Sequence, residues 1–434
     1  MLTRLTAMSG RLRSSLFFLP MVCVLLGVVL AEIMLGIDAM VSDIDSRWTA
    51  TVESARTVLT TIAGATLTFA GTAFSVSLLL LSLASSQYSP RVVHGMFRDP
   101  FNKRVMGLVI GTFTYCLIVL RAVRSSLEGT DEPIVPSVSI LLAVVLGIAS
   151  ILAIIAFINH AAHSMDVSKI LRRVTREALS QAERCWPEDD AARADDPVPD
   201  AGEVDPPPTA ADVRFTSYGW VQSIDVDAVQ RALPPGARAR FETFAGRYAV
   251  PHTPLARVWP AAVGDDLAAA IRSAVTVGET RTMDQDVAYG IRQLVDVALK
   301  AMSPGVNDPT TAHDAMVHAG TVLAALLRRV PPADRRVGPE GQVVLFPHAT
   351  TYADLVELTF DEMRLACAEH PAVLVQLLDV MAQVLRSLDD LDRPDATSAV
   401  RRQAGLIRDA LAETDLLAAD RRRVEDVFGA HFAS

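Results

Sequence analysis

The stretch from Thr57 to Ser86 restricts the fold more than any other part of the chain. It is apolar and long enough to cross a bilayer, for which about 20 such residues suffice. Its residues sort by face. Thr57, Thr61, Gly64, Thr68, Gly71, Ser75, Ser82 and Ser86 recur at alternating spacings of three and four, with Leu78 or Leu79 in the one gap. At about 3.6 residues per turn they share one side of a helix. Val58, Leu59, Ile62, Leu67, Phe69, Val76, Leu80, Leu81 and Leu83 take the other, which suits lipid or an apolar neighbour.

Such a stripe has two readings. Packing is the commoner use, because small residues let helices approach and hydroxyls bond across the contact. The other is a wetted face lining a pathway, built of hydroxyls without fixed charge. Its length favours the pathway, since a dimerisation motif needs only one or two glycine pairs.

Half of the 434 residues are hydrophobic and 21% are charged, which fits a membrane part joined to a soluble part. The net charge of −10 argues against a nucleic-acid partner. Cys23, Cys116, Cys185 and Cys367 are scattered, without metal spacing, and read as free thiols.

Four apolar spans are expected at about 16–36, 57–84, 105–123 and 134–158, within a membrane domain of residues 1–163. Lys and Arg concentrate at the N-terminus, in the 87–104 loop and beyond the fourth span. The positive-inside rule then places both termini in the cytoplasm. Arg91 and Arg104 in the basic loop, and Arg121 at the far end of the third span, are candidate charges at a pathway mouth. For Arg121, snorkelling toward the headgroups is the plainer role. Glu32, near the end of the first span, is more simply a headgroup-facing acid than a buried functional one.

Residues 164–185 read as an amphipathic juxtamembrane helix and 186–212 as an acidic linker rich in Pro and Ala. From 213 to 262 the period shortens to that of strands broken by Gly and Pro, a small β module similar to a barrel-sandwich. Its turn at Pro251–Thr253 lacks a Lys, so lipoyl or biotin attachment is not expected, and nothing else calls for a cofactor. Residues 263–434 read as helical. The fold class is thus a four-helix membrane region followed by a cytoplasmic α+β part.

The densest polar cluster runs from Gly278 to Asp314. Asp284, Gln285 or Asp286 can cap one helix, and Asn307 or Asp308 can cap the next, with Pro309 at its first position. Asp296 and Lys300 form a favourable pair one turn apart. Capping and packing therefore account for these residues. The functional alternative is a ligand or partner site in which Glu279, Arg281, Asp286, Asn307, Asp308 and His313 converge. No nucleophile–base pair or phosphate loop is recognisable, so no catalytic residue is assigned. His313 and His318 are five apart, off one face, so no metal site is assigned either.

FSVSLLLLSLASSQYSPRVV, GWVQSIDVDAV, VPHTPLARVWP and RTMDQDVAYGIRQLVDVALKAMSPGVNDPTTA together resemble an uncharacterised bacterial family of predicted membrane proteins with a domain of unknown function. The resemblance covers most of the chain from about residue 15 to 330. It implies an integral inner-membrane protein with a cytoplasmic C-terminal part, and no activity. Four helices leave little room for an internal path. The expectation is therefore a homo-oligomer, with the second helix of each copy lining a route for an ion or small solute. The alternative is a membrane-tethered signalling or scaffold protein; an enzyme is the least expected.

Overall fold

In lipid each backbone N–H must find its partner within its own segment, and the apolar stretches accordingly form helices. They are α1 (Phe18–Met40), α2 (Val52–Gln87), α3 (Pro100–Ala122) and α4 (Ser137–Ser164). All four are long and apolar enough to cross a membrane. A computed structural model of the chain describes residues 18–40, 51–87, 100–123, 135–164, 166–188, 205–260, 263–346 and 350–432. Two units result, Met1–Asp166 and Val167–Ser434. Most of the acidic linker, residues 189–204, lies outside the described residues.

In the first unit, glycines bring α1 and α3 together. A Cβ on Gly27 would stand 2.6 Å from the Gly111 carbonyl oxygen, and one on Gly107 would stand 2.6 Å from Cys23 Sγ. Side-chain-free contacts of this kind hold helices where no hydrophobic drive exists between them. Asp38, in the last turn of α1, caps α4: its carboxylate accepts from Val138 N at 2.8 Å and from Ser139 N at 2.9 Å. The negative group at a helix N-terminus also suits the helix dipole. Tyr115, fully buried on α3, donates to the Ser139 carbonyl at 3.0 Å. α2 sets Ala55, Leu59 and Ala63 into the shared core with Val119, Ile140 and Ala143. Leu141, Ile148, Leu152 and Ile155 of α4 stay exposed, as a lipid-facing surface would.

The second unit opens with α5 (Val167–Cys185). Strands β1 (Ala211–Arg214) and β2 (Gly219–Ile224) follow, then α6 (Val226–Ala232), β3 (Arg238–Phe241), β4 (Tyr248–Ala249), β5 (Pro254–Trp259), α7 (Asp265–Ser273) and β6 (Val275–Gly278). Helices α8 (Val287–Ala301) and α9 (Pro309–Leu327) come next, then β7 (Arg335–Val337) and β8 (Val343–Leu345). The unit closes with α10 (Tyr352–Ala366), α11 (Pro371–Arg386), α12 (Pro394–Glu413) and α13 (Ala418–Phe432).

The strands make two small sheets, ordered β1-β5-β3-β8-β7 and β4-β2-β6. Along β3, Ala239 and Phe241 point into the core while Arg238 and Arg240 stay at its edge, the alternation of a half-buried strand. Val213, Val221, Phe241, Leu255 and Ile271 fill the space beneath. The sheets draw on more of the chain than the 213–262 segment, since β6, β7 and β8 come from the region read as helical. α5 lays its buried face on α8 and α9, and Gly290 makes this possible: a Cβ there would stand 2.6 Å from Ala178 Cβ.

Candidate functional site

The hydroxyl face of α2 turns away from the other three helices. Thr57, Thr61, Gly64, Thr68, Gly71, Ser75 and Ser82 are all exposed. Among its described side chains the buried ones are Ala55, Leu59, Ala63, Thr66 and Ala73, on the opposite side. Beyond the helix's own neighbouring turns, no atom of the described residues lies within 4 Å of where a Cβ would stand on Gly64 or Gly71. Among the described residues, then, the stripe packs against no other helix. Ser86 belongs to α2, but its side chain lies outside the described residues, as does Arg91.

Four of these hydroxyls are nonetheless satisfied. Thr57 donates to the Glu53 carbonyl at 2.8 Å, Thr61 to Thr57 at 2.7 Å, Thr68 to Gly64 at 2.9 Å and Ser75 to Gly71 at 3.0 Å. Each proton is spent on the carbonyl one turn back, so the outward face presents oxygen lone pairs. Arg104 is exposed near the start of α3. Arg121 pairs with Glu32 at 3.2 Å, both side chains more than half exposed. That acid cancels the charge Arg121 would carry to a pathway mouth.

The cluster of residues 278–314 divides between the two ends of α8. At the first end, Arg281 Nε donates to Asp286 Oδ2 at 2.6 Å, and the Asp286 side chain is 5% exposed. Asp286 also caps α8 by accepting from Tyr289 N at 3.2 Å. The guanidinium lies over the rings of Tyr289, at 5.0 Å, and Trp220, at 5.9 Å, the geometry of a cation–π contact. Gly246, with φ +93°, closes the pocket: its Cβ would fall 2.1 Å from Asp286 Oδ2. Burial pushes the Asp286 carboxyl above the usual range, against the pull of Arg281. Gln285 hydrogen-bonds both the N–H and the carbonyl of Ile224, at 2.9 and 3.2 Å. These contacts clasp the β4-β2-β6 sheet to the start of α8. Glu279 is exposed beside them.

At the other end Asn307 adopts φ +48°, a backbone state that Asn tolerates well. Asp308 caps α9, accepting from Thr310 N and Thr311 N at 3.1 Å each and from Thr311 Oγ at 2.6 Å. His313 is half-buried on α9, its Nδ1 without a hydrogen-bond partner among the described residues. The 15 residues of α8 span about 22 Å and separate the two groups. The six residues therefore do not converge on one site. Asp296 is engaged at 2.8 Å by Arg292, the turn before it, rather than reserved for Lys300 as the spacing suggests, and Arg292 reaches on to Glu362 of α10.

The Thr311 hydroxyl, with the two backbone N–H groups, holds the Asp308 carboxyl below the usual carboxylate range. A lowered acid stabilises the fold above its unfolded pKa and loses that contribution as pH falls through its folded one. Asp308→Ala is expected to cost about 1 kcal/mol at neutral pH, the typical worth of an N-cap. Denaturation curves at descending pH should show the gap to wild type closing in the acid range; a gap independent of pH would contradict the capping role.

Sequence reasoning passed over Trp220, Tyr289 and Gly246 around Arg281, as it did the cap from Asp38. For the α1–α3 contact a signal was available in Gly107 and Gly111, four apart in an apolar span, the spacing of close helix contact.

The DUF2254 family of predicted membrane proteins matches residues 13–383, and the chain belongs to it. Uncharacterised proteins of Mycobacterium bovis and Mycobacterium tuberculosis are each 29% identical over 417 residues, which covers 94% of this chain and 78% of theirs. No solved structure matches.

Proposed function

We propose that this DUF2254 protein is a homo-oligomeric channel or transport-type protein of the bacterial inner membrane, both termini cytoplasmic, in which α2 of each copy lines the path. The observation that carries the reading is the outward turn of the hydroxyl and glycine face of α2, with open space at Gly64 and Gly71. A polar stripe that its own bundle leaves uncovered gains a use when further copies close around it. Because the hydroxyl protons are committed to the backbone, the face offers acceptors, which favours a cation or a hydrogen-bond-donating solute. The C-terminal unit is the regulatory part in this scheme. The scaffold alternative draws less support, because Arg281, Asp286 and Asp308 are engaged in ion pairing and capping and the six cluster residues sit at opposite ends of α8.

Flux into liposomes, with the oligomeric mass measured in the same detergent, tests the reading. Gly71→Leu or Ser75→Leu should abolish flux. Both positions are exposed in the monomer, so its stability should stay within about 0.5 kcal/mol of wild type. A monomer without flux would sink the proposal.

A further inference from the structure

We propose that the exposed face of α5, with the groove it forms against α9, binds the headgroup phosphate of an anionic phospholipid. The inference does not depend on whether α2 lines a path. α5 buries Ile170, Leu171, Val174, Ala178 and Ala182. Lys169, Arg172, Arg173 and Arg176 recur at spacings of three, one and three, all exposed and directly opposite that buried face. The stripe holds no acid over this run. Glu177 points to one side, and Glu183 comes about two turns further on.

The groove has a volume of about 440 Å³, at the lower end of the usual range for small-molecule sites of about 300–1,000 Å³. Arg172, Arg176, Thr175, Ser180 and His318 line it, with Glu183 at one end. Arg172 spends its Nε on the Ser168 carbonyl at 3.1 Å, which leaves its terminal N–H groups to point elsewhere. Among the described residues neither Arg172 nor Arg176 is in an ion pair, unlike Arg281, Arg292 and Arg328, which all have carboxylate partners. Thr175 Oγ and His318 Nδ1, 2.8 Å apart, supply further polar groups at its wall. Two guanidinium forks beside hydroxyls match a phosphate, which they can grip in bidentate fashion.

The lipid assignment follows from the chain itself. Residues 165 and 166 alone separate the end of α4 from the start of α5, so the stripe is tethered to the end of a helix that can span a membrane. Basic clusters immediately beyond such a helix are drawn to anionic lipid, at about 1 kcal/mol per cation near the surface. The chain as a whole is acidic, at −10, so this concentration of cations on one helix face runs against the general balance.

The test uses the full chain in neutral detergent, titrated with dioctanoyl phosphatidylglycerol, dioctanoyl phosphatidylcholine or inorganic phosphate alone. Phosphatidylglycerol should bind and phosphatidylcholine should bind far more weakly. Arg172→Gln with Arg176→Gln should weaken phosphatidylglycerol binding about 30-fold. Glu183→Gln should strengthen it about fivefold, a gain that misfolding cannot produce. Equal binding of the two lipids would overturn the proposal, as would indifference to all three substitutions. Inorganic phosphate that binds as tightly as the lipid, and displaces it, would overturn the lipid assignment in favour of a soluble phosphate ligand.

Discussion

Replacing Asp286 with Ala is expected to destabilise the C-terminal unit by about 4 kcal/mol. Two losses add. The N-cap of α8 goes, worth about 1 kcal/mol. The Arg281 guanidinium, held between Trp220 and Tyr289, also loses its carboxylate partner. Breaking a buried pair by removing one partner costs about 3–5 kcal/mol, because a charge is left without compensation. The Arg281 side chain is 26% exposed, so water takes up part of that charge and the lower end applies. Asp286→Asn should cost about 1 kcal/mol less, since Asn caps helices nearly as well while the Arg281 charge still loses its carboxylate. Denaturant unfolding followed by tryptophan fluorescence reads both variants, with Trp220 as a local reporter. An Ala variant as stable as wild type would mean that the clasp between sheet and helix is dispensable.

The contrast between Asp286 and Arg281 shows what a sequence discloses. A cap reaches only two or three residues, so local spacing narrows the caps to Asp284, Gln285 or Asp286 and to Asn307 or Asp308, and the fold selects Asp286 and Asp308. The partners of Arg281 come from β2 and from the turn at Gly246, joined only by folding. Asp296 is instructive in the same way. Arg292 and Lys300 are each one turn away, and periodicity has no means of choosing. The choice is influenced by Glu362 on α10, which draws Arg292 toward it. Short strands escape for another reason. β7 and β8 are three residues each, too short for a period of two to declare itself between helices. Val275-Thr276-Val277 did carry β-branched character, yet the helical stretch ahead of it outweighed that signal. In the membrane part the faces of α2 were legible because Thr, Gly and Ser recur along one side of it. Which face meets the other helices was not, because small residues serve both a contact and an open surface.

Gly27→Leu should separate these two uses of small residues. At Gly27 even a methyl group would stand 2.6 Å from a backbone carbonyl oxygen of α3, and a backbone cannot swing aside as a side-chain tip can. Overpacking a close contact costs about 1–3 kcal/mol, and a leucine facing main chain falls at the upper end. The expected result is a loss of about 3 kcal/mol in the helical bundle, with α1 displaced from α3 and the Asp38 cap on α4 weakened, since Asp38 is carried on α1. Gly71→Leu introduces the same side chain at a position with open space around it and should leave the isolated chain as stable as before. Thermal denaturation of both variants in detergent makes the comparison directly. Equal destabilisation would mean that α2 is covered within the single chain after all and would remove the basis for a shared path. Destabilisation by Gly27→Leu alone, with flux lost only in Gly71→Leu, would assign close packing to the α1–α3 glycines and conduction to the α2 stripe.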